Sequence, residues 1–193
     1  EWARREGGSD YDYLEAVVET KDGGYIAVGH FRSSSIQVGD YTLTNSRSGY
    51  YDGMIIKYSA EGEVEWARRE GGSNYDYLTS VAGTSDGGYI AVGYFESSSI
   101  QVGDYTLTNS GGYDGMIIKF DTEGAVEWAR SVGGSSSDYI YSVAETKDGG
   151  VIAGGHFESI SIQVGDYTLI KSGSSDGMII KFDTEGAVEW ARS

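Results

Sequence analysis

Glu65-Trp66-Ala67-Arg68 is written four times in this chain of 193 residues, at positions 1–4, 65–68, 127–130 and 189–192. The tryptophans stand 64, 62 and 62 residues apart, and the text between them is nearly the same three times over. A period of this length means that one supersecondary unit has been copied along the chain. The units run over residues 1–64, 65–126 and 127–193, the last including a closing strand.

Working outward from Trp66, Gly71-Gly72-Ser73 is a break. Tyr77-Leu78-Thr79-Ser80-Val81-Ala82 then reads as a strand, stopped by Ser85-Asp86-Gly87-Gly88. Aspartate-glycine pairs between apolar runs signal a hairpin, because glycine accepts the positive φ of a tight turn. Tyr89–Phe95 is the return strand, and the other units repeat it as Tyr25–Phe31 and Val151–Phe157. Ile100 and Val102, then Tyr105 and Leu107, alternate with polar residues about Gly103-Asp104, which predicts a small second hairpin on one rim. Asp114–Phe120 is a third main strand, and residues 125–130 form a fourth after the turn at 121–124.

No helical period survives over a useful window. The reading is all-β: a propeller-like array of four-stranded antiparallel blades of about 62 residues, three repeats plus an extra terminal strand. A blade packs against a neighbour on each side, so neither face of its sheet is wholly polar. Small residues on the first strand (Ala16 and Val18, Ser80 and Ala82, Ser142 and Ala144) suit a crowded inner edge. A stacked β-solenoid is the competing architecture, but its turns are shorter.

Gly-Gly-Ser-x-x-Asp, the Asp-Gly-Gly turn with Ile-Ala-Val-Gly, Asp-Gly-Met-Ile-Ile-Lys-Phe and Glu-Gly-x-Val-Glu-Trp-Ala-Arg together resemble the bacterial β-propeller repeat called SBBP. The resemblance covers all three units in order and spacing. It implies part of a large secreted or surface protein, without an assigned activity. The chain departs from the family in its Val-Gly-Asp-Tyr-Thr-Leu hairpin.

Residues 1–5 would form a fourth strand with no blade of its own, while the last blade already has its own fourth strand at 189–193. Three blades are fewer than the 4–8 of a closed ring. The expectation is therefore a segment of a longer array, or one protomer of an assembly. Its partners would be other copies of itself or neighbouring repeats, with a glycan as the alternative. Exposed sheet faces and edges invite such association.

Thirty acidic residues against 14 basic ones give a net charge of −16, which opposes binding to nucleic acid or to anionic membrane surfaces. With no cysteine, disulfides, thiolate metal sites and cysteine nucleophiles are excluded. No apolar run in these 193 residues reaches the length of a membrane span, and they contain no signal-peptide pattern, which leaves a targeting segment of a parent protein open.

Few residues point to chemistry. Gly173-Ser174-Ser175-Asp176-Gly177 matches the G-x-S-x-G pattern, but a nucleophile elbow needs a helix after it and a strand is predicted instead. Asp12, Asp76 and Asp138 recur in all three units after a Gly-Gly-Ser loop. They are candidate calcium ligands. The competing reading is an aspartate that accepts backbone N–H bonds in a tight loop. His30, Tyr94 and His156 occupy one repeat position, and Glu15 and Tyr141 (with Thr79 between them) another. Positions that vary among near-identical copies are free of packing constraint, so these five residues are candidate ligand contacts on a surface. The four tryptophans could stack on sugars, but beside Val64 and Val126 they read as packing between blades. An enzyme usually needs a unique constellation on a broken symmetry, and none is present. The function expected is a non-catalytic structural or adhesive repeat segment of a secreted or cell-surface protein, able to self-assemble. A glycan-binding module with one shallow site per blade is the second expectation.

Overall fold

The computed structural model describes residues 2–193. Glu1, which opens the strand expected at residues 1–5, lies outside the described residues. The first unit contains β1 (Asp12–Glu19), β2 (Tyr25–Phe31), β3 (Ser35–Val38), β4 (Tyr41–Thr44), β5 (Asp52–Tyr58) and β6 (Val64–Glu70). The second repeats these as β7 (Asp76–Gly83), β8 (Tyr89–Phe95), β9 (Ser99–Val102), β10 (Tyr105–Thr108), β11 (Asp114–Phe120) and β12 (Val126–Val132). The third has β13 (Asp138–Glu145), β14 (Val151–Phe157), β15 (Ser161–Val164), β16 (Tyr167–Ile170), β17 (Asp176–Phe182) and β18 (Val188–Arg192). There is no helix among the described residues.

Each unit forms one antiparallel four-stranded sheet, with strand orders β1-β2-β5-β6, β7-β8-β11-β12 and β13-β14-β17-β18. The all-β, propeller-like reading is therefore correct, down to the residue limits of the three return strands. The first strand of each later sheet packs on its predecessor: β7 against β1, β2 and β5, and β13 against β7, β8 and β11. First strands therefore line the inside of the stack and fourth strands its outside.

The hydrophobic cores sit at the joints. Ile26, Val28 and Ile55 of the first sheet share one core with Leu78 and Val81 of the second. Ile90, Val92 and Ile117 do the same with Ile140 and Val143 of the third. This is why the strands carry apolar residues on both faces. A lone sheet of this sequence would leave one whole face wet, at about 25 cal/mol for each Å² of apolar surface.

Each small hairpin does more than decorate a rim. Ile100, Val102 and Leu107 are buried in the core, and the Tyr105 hydroxyl donates a 2.6 Å hydrogen bond to the Glu127 carbonyl on the outer strand. The hairpin thus closes the outer end of its own sheet.

Two glycine positions show how closely the parts fit. In every blade the first strand carries a β-bulge, between Leu14 and Ala16, Leu78 and Ser80, and Ile140 and Ser142. The bulge drives the Tyr77 carbonyl onto Gly93, where any side chain would collide with it. Gly186, with φ +76°, turns between β17 and β18 under the Trp128 ring of the preceding blade, and a Cβ there would lie 2.6 Å from the indole. The Trp128 Nε1 donates to the Thr184 carbonyl of the same turn at 3.1 Å. Trp128 thereby clamps the third blade. Trp66 packs over Gly124 of the second blade in the same way, without the hydrogen bond.

Trp2 and Arg4 use that seat on the first blade. Trp2 Nε1 donates to the Ala60 carbonyl at 3.1 Å, and Arg4 donates to the Gly62 carbonyl at 2.8 Å. The expected extra strand forms no sheet among the described residues. It takes up the tryptophan–turn contact of a fourth strand without the ladder of one.

Candidate functional site

The bulge places residue 15 of the first blade, 79 of the second and 141 of the third at the end of the stack where the first strands begin. The side chains paired across β1 and β2 there are Tyr13 and His30, and in the later blades Tyr77 with Tyr94 and Tyr139 with His156. Tyr51 and Tyr113, just ahead of β5 and β11, fill the spaces between them.

These rings form one continuous ribbon across all three blades. His30 meets Tyr13 at 5.2 Å, Tyr51 at 4.9 Å and Tyr77 of the next blade at 4.8 Å between ring centroids. Tyr94 repeats the arrangement with Tyr77 at 4.9 Å, Tyr113 at 5.4 Å and Tyr139 of the third blade at 4.9 Å. His156 meets Tyr139 at 4.9 Å and Tyr141 at 5.6 Å. Most pairs are tilted or edge-to-face, the arrangement that ring quadrupoles favour.

All five candidate ligand contacts lie on this ribbon. Glu15 Oε1 is 3.8 Å from His30 Nδ1, and Tyr141 stands 5.8 Å from Tyr94 across the joint. The His30–Glu15 contact is not an ion pair at neutral pH. Burial pushes the imidazole down to about 4, against the raising effect of Asp12, so His30 is neutral and its Nδ1 lacks a hydrogen-bond partner. Burial also pushes the Tyr141 hydroxyl up to about 12, with the neighbouring Tyr94 and Tyr139 adding to it, and Tyr77 is raised for the same reason. His30 and the raised tyrosines Tyr77 and Tyr141 are therefore uncharged at neutral pH, and carboxylates close enough to act on the rings (Glu15, Glu96 and Glu158) edge the ribbon. It offers π-faces and phenol hydroxyls. It holds no paired nucleophile and base.

The three candidate metal ligands are placed elsewhere, each in a closed knot. Asp76 accepts hydrogen bonds from Gly72 N at 2.7 Å, Ser97 N at 3.2 Å and Ser97 Oγ at 2.7 Å. Asp12 does the same with Gly8, Arg32 and Ser33, and Asp138 with Gly134, Glu158 and Ser159. Each ties the Gly-Gly-Ser loop to the end of the second strand. N–H and O–H donors converging on a carboxylate occupy the directions a cation would take. Among the described residues no three His, Asp or Glu side chains converge as a metal would require. Residues 173–177 lead into β17, so the G-x-S-x-G match lacks its helix.

One repeated constellation escapes a reading of the sequence. Lys57, in the apolar strand β5, is almost wholly enclosed, and its Nζ lies 2.9 Å from both Asp22 Oδ2 and Glu65 Oε2. Lys119 with Asp86 and Glu127, and Lys181 with Asp148 and Glu189, repeat it. Burial opposes the charge on Lys57, but its hydrogen bonds to Glu65 and Asp22 outweigh that and leave its pKa above the ordinary lysine value. The only signal was a lysine recurring at the same place in three otherwise apolar strands.

No family model matches the chain. Over 147 residues it is 26% identical to an uncharacterized WD repeat-containing protein of Acanthamoeba polyphaga mimivirus, an alignment that takes in 70% of the chain and 11% of the relative. The chain thus spans about a tenth of that protein's length. WD repeats are four-stranded propeller blades, so this distant likeness agrees with the propeller-type repeat seen in the sheets. The likeness to the SBBP family is not confirmed. A repeat-built β-structure of this kind is compatible with a non-catalytic module.

Proposed function

We propose that the chain is a non-catalytic structural or adhesive repeat segment of a secreted or cell-surface protein, with the aromatic ribbon as its contact surface. The observation that carries this reading is the ribbon itself. Rings of three blades run together without interruption and partly exposed, and no blade adds a catalytic set of its own. Aromatic side chains give large contact area at low entropic cost, which suits recognition.

The test is retention of chain-coated beads on surfaces bearing immobilised glycans or extracellular-matrix proteins, for the wild type and for Tyr141→Ala. Retention above bare beads that falls several-fold in the variant supports the reading. Equal retention of both proteins, or none above bare beads, sinks it.

Glycan binding is the second reading, and a specific geometry favours it. Tyr139 and Tyr141 lie parallel at 5.8 Å with a 7° interplanar angle, beside the edge carboxylate Glu158. Exposed parallel rings cover the C–H face of a sugar while carboxylates take its hydroxyls. A glycan array that lights up only with Tyr141 intact would select this version.

A further inference from the structure

The two outward faces of the three-blade stack are the two halves of the joint that the stack makes twice inside itself. At the inner joints Leu78 and Ile140 are 0% exposed, and Val81 and Val143 are 9% exposed. Their equivalents on the first blade, Leu14 and Val17, are 49% and 68% exposed. On the opposite face Ile55 and Ile117 are 0% exposed, whereas Ile179 of the third blade is 41% exposed. The same side chains are sealed at two joints and wet at the two ends.

The receiving side is open as well. Leu78 docks on Gly53 and Ile140 on Gly115, where an added Cβ would lie 3.1 Å and 2.7 Å from the incoming side chain. Gly177 is the third member of this series, and nothing but the Gly155 carbonyl, at 3.9 Å, lies near it. At the inner joints Asp76 N and Asp138 N donate to the carbonyls of Tyr51 and Tyr113. Ser175 holds the corresponding carbonyl beside Gly177. The ribbon is broken in the same way, since His30 and Tyr94 each have a tyrosine from the next blade and His156 has none. One departure marks the third blade: Gly154 stands where the others have Val28 and Val92, leaving a hollow beside Ile152 and Ile179.

We infer that the occupant of these faces is a second copy of this chain, docked head to tail. Leu14 and Val17 of one copy enter the Gly177–Ile179 face of the other, and the reverse contact closes two copies into six blades. The argument is continuity with an interface the molecule already builds twice from the same residues. A heterologous contact of this kind forms a ring when its rotation closes, and six blades fall within the 4–8 that propellers use. This goes beyond the proposed contact role of the ribbon and does not depend on it.

The head-to-tail contact brings two Trp-Ala-Arg segments to one seat. Trp190 on β18 of one copy takes the position over Gly62 that Trp2 holds in the single chain. β18 keeps a hydrogen-bonded ladder with β17, whereas Trp2 to Arg5 have none, so the Trp2 segment is the one that yields.

The test is solution mass by light scattering on the 193-residue chain at micromolar concentrations. The wild type is expected at twice the chain mass, Val17→Arg alone and Ile179→Glu alone at the mass of one chain. An equimolar mixture of the two variants returns to twice the mass, because one intact joint and one Arg–Glu joint then form. Recovery on mixing also shows that both variants are folded. Deleting residues 1–5 is expected to leave the dimer intact. A wild type that stays monomeric, leaving the faces for flanking blades of a longer chain, overturns the proposal. So does open-ended growth in mass, a dimer indifferent to both substitutions, a mixture that stays monomeric, or loss of the dimer on deleting residues 1–5.

Discussion

Lys119 Nζ, enclosed within the second blade, lies 2.9 Å from Asp86 Oδ2 on the turn between the first two strands. With Glu127 at 2.8 Å, the pair links three strands through one ammonium group. Both carboxylates are about half exposed, so they remain solvated when the lysine is removed. Lys119→Met keeps the stem and deletes the charge, and is expected to cost about 1 kcal/mol in urea unfolding. Lys119→Ala, which also empties the space of the stem, is expected to cost about 2–4 kcal/mol. Equal losses for both would show that the charge contributes and the stem does not.

Gly186 and Gly49 separate backbone strain from crowding. Both have positive φ, +76° and +88°, but Gly186 lies under Trp128 while nothing stands within 4 Å of a Cβ at Gly49. Gly49→Ala is expected to cost about 1 kcal/mol, the left-handed backbone term alone. Gly186→Ala adds displacement of the indole and is expected to cost about 2–4 kcal/mol. Thermal unfolding of the two variants side by side checks this, and equal Tm losses would remove the clamp from the account.

Asp76 makes a charge-sensitive prediction of another sort. Asp76→Asn turns one acceptor oxygen into an N–H₂ group facing donors from Gly72 or Ser97. A buried donor left facing a donor costs about 1–3 kcal/mol. Millimolar calcium is expected to leave the wild-type Tm unchanged, since the carboxylate is already occupied. A calcium-dependent rise that vanishes in Asp76→Asn would reverse that assignment.

Stability is expected to rise as pH falls from 8 to about 5. Burial raises Glu70 to about 7, and Asp76 and Asp114 to about 6. Raised carboxylates bind protons more tightly folded than unfolded, so their penalty disappears as pH drops through the folded values toward the unfolded ones. His30 opposes this, because its lowered pKa of about 4 makes the unfolded chain the better proton acceptor below about 6.5. Three groups outweigh one. Below about pH 4 the trend reverses: Asp22, held near 2 by hydrogen bonds from Thr20 and Lys57, becomes protonated and loses them. Asp86 follows; burial alone would raise it, but bonds from Thr84 and Lys119 hold it near 2. Calorimetry from pH 8 to 3 should show the maximum near 5, and His30→Tyr, the residue of the second blade, should steepen the acid-side gain. A Tm that falls steadily from pH 8 would contradict the assignment of these buried carboxylates.

The blades were legible because local and global signals agree in them. Asp-Gly-Gly turns, alternating strands and apolar residues on both faces all demand stacked antiparallel sheets, and Tyr89–Phe95 forms where its pattern ends it. The small hairpin forms where it is expected, but the alternation of Ile100 and Val102 shows only that one face is buried and not against what. At the ribbon, variation among copies pointed to Glu15, His30, Tyr94, Tyr141 and His156. Tyr77 and Tyr139 carry no such variation, because a tyrosine stands at their position in every unit, and Tyr113 gives way to Ser175 in the third. The lysine networks were missed for a related reason. The aspartate sits on a distant turn, and only the antiparallel pairing of Lys119 with Trp128 brings the outer glutamate alongside.

The bulge on each first strand has a consequence for how such a protein can change. Glu15, Thr79 and Tyr141 are the extra residues that the return strand does not match, so the ladder on either side keeps its register whatever they are. An acid, an alcohol and a phenol already occupy the three sockets. Each blade can therefore be given a different chemical character at the ribbon by exchanging one side chain, with the rest of the repeat held constant.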